Sequence, residues 1–377
     1  LPVIHQPTFE AQYISGLHLK SKSFAKSVLL VCAIGSRYCD DPRVYIKEIG
    51  THSAGWRYFA QVRDLYPRPH TPNTLHDIQC YVMMSYFLQG TLAHHIAWTL
   101  IGTGIRIAQG IGIHRRKHGK GPISLQEEQE KRAFWCLIAM DRHMGSAIGR
   151  PLACQDEDFD LEFPVEVDDE YWSAPEYEGA SVSAPRQPTG MPSKISSFVA
   201  SLKLYQIIAL ALRTLYSIDK SKALRGLTGE KRDEHIISEL ESRMHQWVDT
   251  IPEHLKWDPN RQKGVHFVQS AILYILYYHV QIFIHRPFLR PTKGSSALFF
   301  SSLSISTNAA RSCIPVLEAL QEHGARIPPP AVGSAAHCGV MLLMAIWAAR
   351  KARVNVDSQA AMRGVKQCIS FLNSCES

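Results

Sequence analysis

Nowhere in this chain of 377 residues do two cysteines stand at CxxC spacing. The nine cysteines are scattered from Cys32 to Cys375. A zinc site needs four converging ligands, so no such site is legible here. An odd, sparse count fits reduced thiols in an intracellular protein. Cys32/Cys39 and Cys368/Cys375 each stand seven apart, on one helix face, and read as core packing. One-signed charge is also scarce. Lys plus Arg is 41 against Asp plus Glu 34, a net +7 spread along the chain. That is weaker than the clustered basic stripe expected of a nucleic-acid groove. No run alternates apolar and polar residues as a half-buried strand does. GxSxG, HExxH, P-loop and GxGxxG patterns are missing, so an enzyme reading has no anchor. Asp40-Asp41 and Asp168-Asp169 do not extend into the aspartate-rich motif of an all-α prenyl-diphosphate enzyme. The chain starts at Leu1-Pro2 with no charged n-region and apolar h-region, and reads as a piece of a longer protein.

What is present is helix. Hydrophobic residues make up 45%, enough for a sizeable core. Phe24 to Cys39 places Val28, Val31, Cys32 and Gly35 on one face. Thr74 and Asp77 form a capping box before a stripe of Leu75, Ile78, Val82, Ser85 and Leu88. A helix from His95 to Gly110 turns Trp98, Ile101, Ile105 and Ala108 inward, and Gly102 with Gly104 reads as close helix packing. Ser124 and Glu127 cap the next helix, whose face carries Phe134, Leu137, Ile138, Asp141, Gly145 and Ile148. Ser173 to Ser197 is a Pro/Ser/Gly-rich loop. Helices resume over Phe198–Ser217 and Arg232–Thr250. Two charge-free stretches, Gly264–His285 and Ala331–Ala349, reach the length of a bilayer crossing. Both carry histidine and serine and read as buried core helices. A Ser-rich loop over Pro291–Ser302 precedes a helix at Thr307–His323, and Pro328 to Pro330 break the chain.

The densest chemistry lies between Glu127 and Pro164. Asp141 and Arg142 are helix neighbours, about 100° apart, and so do not pair with each other. Asp141 falls on the apolar side, where an unpaired carboxylate is costly. A cation from another helix, or Arg150 in the Gly149-Arg150-Pro151 turn, is therefore expected to meet it. The acids Asp156, Glu157, Asp158 and Asp160 do not form an EF-hand. Counting from Asp156, the sixth residue is Leu161 rather than Gly, and the twelfth is Val167 rather than Glu. They read as a solvated or arginine-paired turn. His94-His95 and His114-Arg115-Arg116 lack converging ligands or interleaved aromatics, and read as exposed basic residues.

These motifs, in this order, resemble one family, the fungal-specific transcription factor domain, which is the middle homology region of zinc binuclear cluster regulators. The opening Leu1 to Phe9 is similar to its His-x-Pro-x-Phe start. Trp98 to Gly102, Ile105 to Gln109 and Gly112 to Arg115 resemble a second hallmark. Phe134-Trp135, Asp141-Arg142, Gly149-Arg150-Pro151 and Asp156 to Asp160 resemble the third and most specific. His285 to Leu289 and Asn308 to Arg311 resemble later segments. The resemblance implies one all-α regulatory domain over 1–377, with a homology core at 1–260 and C-terminal helices at 261–377 packed on it. It implies a nuclear, non-enzymatic module of an RNA polymerase II factor. Cofactors are expected to be none in this segment. Zinc, and DNA binding through it, belong to a six-cysteine module that precedes the domain in such regulators. The expected partners are coregulators or other domains of the same factor, a small-molecule effector and a second copy of the chain, with no membrane. Trp98, Arg106, Phe134, Asp141, Arg142, Arg150, Asp156 and Asp158 are the expected effector pocket or structural latch. A ligand-independent interaction scaffold is the alternative, and an all-α enzyme on an apolar substrate the more distant one.

Overall fold

The computed structural model describes residues 1–39, 41–62, 72–91, 93–116, 123–172, 185–218, 229–289, 297–324, 327–352 and 357–375. Among them are thirteen α-helices and no β-strand. They are α1 (Gln6–Ile14), α2 (Leu17–Lys20), α3 (Lys22–Ser36), α4 (Trp56–Phe59), α5 (Leu75–Gln89), α6 (His94–Gly110) and α7 (Leu125–Ile148), followed by α8 (Ser196–Thr214), α9 (Glu230–Thr250), α10 (Val265–His285), α11 (Ala297–Glu322), α12 (Pro329–Ala352) and α13 (Ser358–Ser374). The all-α expectation is met. Contacts gather the chain into two compact units. One holds 1–144 with 152–199, and the other 145–151 with 200–377. Apart from residues 145–151, the division falls near 199/200.

Local chemistry explains the helices of the first unit. His5 caps α1. Its Nδ1 accepts the Thr8 N–H at 3.3 Å, and its Nε2, the remaining donor, lies 3.0 Å from the Asp169 carbonyl. Pro7 sits in the first turn, where its missing N–H costs nothing. Phe9 packs on Phe24 with ring centroids 5.3 Å apart. The His-x-Pro-x-Phe opening is thus a cap, a helix start and a core anchor. The capping box of α5 forms as expected, the Asp77 carboxylate accepting the Thr74 N–H at 2.8 Å. That of α7 is reciprocal. Glu127 accepts the Ser124 N–H at 3.0 Å, and Ser124 Oγ accepts the Glu127 N–H at 3.2 Å. Helix α5 is buried on every side from Ile78 to Ser85, and α7 from Lys131 to Arg142. Both were expected to bury a single face.

Gly104 lets α5, α6 and α7 meet. A Cβ built there lies 2.9 Å from the Tyr81 Cβ and 3.0 Å from a Leu137 methyl. At Gly102 the nearest atom is the Ala153 Cβ at 3.6 Å, an ordinary contact. Gly104→Ala is expected to destabilise by about 1–3 kcal/mol through overpacking, and Gly102→Ala by less than about 0.5 kcal/mol. Chemical denaturation of both variants checks this, and equal effects would refute the close approach.

In the second unit, Ala271, Ile275 and Ile282 of α10, Ala310, Cys313 and Leu317 of α11, Cys338 and Leu342 of α12, and Val365 and Phe371 of α13 form one core. Helices α10 and α12 are long and apolar enough to cross a membrane. The most apolar windows are 61% and 56% buried inside the fold, which accounts for their hydropathy.

Two expectations need correction here. Helix α11 starts at Ala297, inside the segment read as a Ser-rich loop. Its hydroxyls are helix-compatible where they find partners: buried Ser302 bonds the His285 ring at 3.2 Å, exposed Ser301 donates to the Leu298 carbonyl at 3.1 Å, and Thr307 donates back to the Leu303 carbonyl at 2.7 Å. Cys32 and Cys39 are exposed and not core residues, unlike Cys368, which is buried. The α3 helix ends at Ser36, so the seven-residue spacing no longer holds Cys39 on its face. Of the loop read over Ser173–Ser197, residues 173–184 lie outside those described, and Ser196 already opens α8.

Candidate functional site

After Pro151 the chain returns along α7 as a strap over 152–169, interrupted by a 3-10 turn at Asp156–Asp158 and fastened at successive turns of the helix. Near the end of α7, Asp141 Oδ2 accepts the Ala153 N–H at 2.9 Å, with the Cys154 amide also directed at the carboxylate. One residue on, the fully buried Arg142 donates through Nη2 to Asp156. Its guanidinium lies 5.9 Å from the Phe159 ring centre. Phe159 in turn meets Phe134 edge-on at 5.5 Å and Trp135 at 5.3 Å. The Trp135 indole N–H donates to the Glu162 carbonyl at 2.8 Å. At the start of α7, Glu128 accepts the Val165 N–H at 2.9 Å. Arg132 donates to the Val167 carbonyl at 3.1 Å and the Asp169 carboxylate at 2.6 Å. The strap therefore runs antiparallel to α7, and helix side chains take up polar groups that no secondary structure would satisfy.

Two electrostatic arrangements hold it. Glu128 is completely buried and bridges Lys131 at 2.8 Å and Arg132 at 3.1 Å, which extends to Asp169. Two acids face two bases, so the network is neutral and each charge has a close partner. The Asp141–Arg142 region is less complete. Among the described residues Asp141 Oδ1, Arg142 Nε and Arg142 Nη1 have no hydrogen-bond partner. Among the described residues no cation pairs with Asp141 directly, which corrects the expectation that Arg150 or another helix supplies one. Arg150 is exposed, its N–H bonding the Gly145 carbonyl at 3.2 Å, because Gly149 turns the chain at φ 66°.

Burial without a direct ion pair raises the Asp141 carboxyl to about 6, opposed by the two amides and, least, by the Arg142 charge. The folded value lies above the unfolded one, so below pH about 4 the group is protonated in both states and contributes nothing. As pH rises from about 4 to 6 the unfolded chain loses its proton first, and folding weakens. Asp141→Asn keeps the oxygen that accepts the amides and removes the ionisation. Wild type is expected to lose on the order of 2 kcal/mol relative to this variant between pH 4 and 7. Parallel stability curves for the two proteins would contradict it.

Of the eight expected residues, Phe134, Asp141, Arg142 and Asp156 come together on this latch. Asp158 supports it by accepting the Gln155 N–H at 2.8 Å, which caps the turn. Asp160 accepts the Arg116 N–H at 2.7 Å. The acidic run is thus an arginine-paired and capped turn. Trp98 is half-buried on α6, and Arg106 is exposed there, bonded to Gln109 at 3.2 Å. Neither touches the strap through a hydrogen bond, and Arg150 lies off it. Glu128, Lys131, Arg132 and Asp169 were missed. At i, i+3 and i+4 the first three look like surface ion pairs. The signal against that is the apolar run Ala133 to Met140 directly after them, which leaves no solvent face.

Residues 1–249 match the model of the fungal specific transcription factor domain, and the chain belongs to that family. Among its relatives, the cutinase transcription factor 1 alpha of Fusarium vanettenii is 25% identical over 334 residues, covering 86% of this chain and 34% of the relative. The ABC-transporter-regulating transcription factor of Aspergillus fumigatus is 28% identical over 295 residues, covering 76% and 30%. Activator of stress genes 1 of Saccharomyces cerevisiae is 26% identical over 243 residues, covering 62% and 23%. The chain spans about a third or less of the length of these relatives. No solved structure matches.

Proposed function

We propose that this chain is the activity-controlling domain of a nuclear, DNA-binding transcription factor, and that the strap on α7 is the element whose docking sets its output. DNA recognition belongs, in this reading, to a six-cysteine, two-zinc module elsewhere in the factor. The partners are coregulators or other domains of the same factor, and a small-molecule effector. The observation that carries it is the coincidence of the latch with the motif that defines the family most specifically. Asp141, Arg142 and Asp156 all hold the strap and have no other evident use. The partial satisfaction of Asp141 and Arg142 supports a switch over a fixed brace. A polar network with orphaned atoms is less favourable when closed than a complete one, which leaves its two arrangements closer in free energy.

The test is a reporter assay with the chain fused to a heterologous DNA-binding domain. Asp156→Asn weakens the latch while keeping the side chain's shape. It is expected to change output at least about fivefold at equal protein abundance, since 1.4 kcal/mol of bias is a tenfold population change. Output indistinguishable from wild type would count against the strap as the controlling element.

A further inference from the structure

The first unit carries a groove of about 400 Å³ that none of the latch residues line. Its apolar wall is built from Val3 and Ile4 of the opening segment, Val31 and Ile34 of α3, and Val82 and Met83 of α5. Among the described residues no charged side chain lines it. Tyr38 and Tyr86 supply its polar groups, their hydroxyls 3.4 Å apart. When Tyr38 donates to Tyr86, the Tyr86 O–H still has a proton to give.

Gly35 provides a second, independent observation. It lies in α3, lines the groove and is exposed there. A Cβ built on it meets nothing within 4 Å. Its backbone is not left-handed, so no turn requires a glycine at this position. Glycine is less favourable than alanine in a helix, and at Gly104 close packing explains one. At Gly35 no protein atom does. What the missing side chain leaves is room in the groove.

We infer that this groove binds a small, largely apolar molecule bearing one hydroxyl or carbonyl oxygen, seated on the aliphatic wall with that oxygen at the Tyr38/Tyr86 pair. The volume falls in the range of small-molecule sites. A few polar groups in an apolar cleft fix a ligand's orientation and select its class. A neutral ligand is favoured, because none of the described lining residues would pair a charge once buried. Only the consequence of binding, that the molecule acts as an effector, rests on the regulatory reading above.

The probe for the test is 2-naphthol, titrated into the full 377-residue chain and followed by its fluorescence, with naphthalene as the analogue that lacks the oxygen. Saturable binding at one site is expected, with naphthalene at least about fivefold weaker, the value of one hydrogen bond. Gly35→Phe is expected to weaken 2-naphthol at least tenfold by filling the groove. Tyr86→Phe is expected to weaken 2-naphthol severalfold and leave naphthalene unchanged. Far-ultraviolet circular dichroism and the thermal midpoint establish that both variants are folded. Non-saturable binding, or a folded Gly35→Phe variant that binds as wild type does, would overturn the proposal. The reporter assay on Asp156→Asn separates the two readings. A responsive latch with no naphthol site sinks the groove alone, and a specific naphthol site with a silent latch sinks the regulatory reading alone.

Discussion

Glu128→Ala is expected to cost about 3–5 kcal/mol, a large part of the stability of a typical domain. The glutamate lies near the start of α7, where a substitution would ordinarily be mild. Here its side chain is 1% exposed and is the shared partner of Lys131 and Arg132, themselves 7% and 2% exposed. Removing it leaves two buried cations with one carboxylate, Asp169, between them, and strips the Val165 amide of its acceptor. Breaking a buried ion pair is expensive because the remaining charge stays desolvated, even where the pair itself contributes little beyond an apolar replacement. Glu128→Gln separates these effects. It keeps an acceptor for Val165 and loses only the charge, so it should fall between wild type and the alanine variant in a urea titration. A Glu128→Ala midpoint equal to wild type would show that the network has no structural role.

Asp156→Ala comes second, at about 2–4 kcal/mol. Its side chain is 38% exposed, and exposed positions usually tolerate truncation to within about 0.5 kcal/mol. The asymmetry lies in its partner. Arg142 is buried, and Asp156 is its salt-bridge partner among the described residues. The aspartate's exposure lets water reach that side, so the cost is set below that of Glu128. Combining Asp156→Ala with Arg142→Met removes the stranded cation and should recover at least half of the loss. A double variant as unstable as the sum of the two single ones would mean that Arg142 and Asp156 act independently.

The helices were legible in the sequence because their periodicity and caps are local. The Thr74/Asp77 and Ser124/Glu127 boxes lie where the residues predict them. Alternation could not foretell how deeply α5 and α7 are buried. A helix covered on all sides by other helices shows no single apolar stripe, and the charges of Glu128, Lys131 and Arg132 suggest a water-facing side that does not exist. The start of α11 was obscured by its serines, of which Ser301 and Ser302 find the Leu298 carbonyl and the His285 ring only once the helix and His285 are in place.

The site was half legible. Asp141, Arg142 and Asp156 were recognisable as residues needing partners, because charge in an apolar setting demands compensation. Which partner each takes depends on the return path of 152–169, and no local rule determines that path. Arg150, held in the turn that ends α7, was the natural candidate for Asp141. The structure gives Asp141 two backbone amides in its place, so it serves as a cap for the strap. Asp169 and His5 lie 164 residues apart and meet through the Asp169 carbonyl. A pairing of that length leaves no trace in local sequence.

The account turns on whether residues 152–169 are held against α7 in solution. Amide hydrogen exchange measures this directly. The Ala153 and Val165 amides donate to the Asp141 and Glu128 side chains. They are predicted to exchange at least about a hundredfold more slowly than an unstructured chain, and to lose that protection in Asp156→Ala while the Lys131–Arg142 segment of α7 keeps its own. Exchange of both amides at the rate of a free loop in the wild-type protein would contradict the latch.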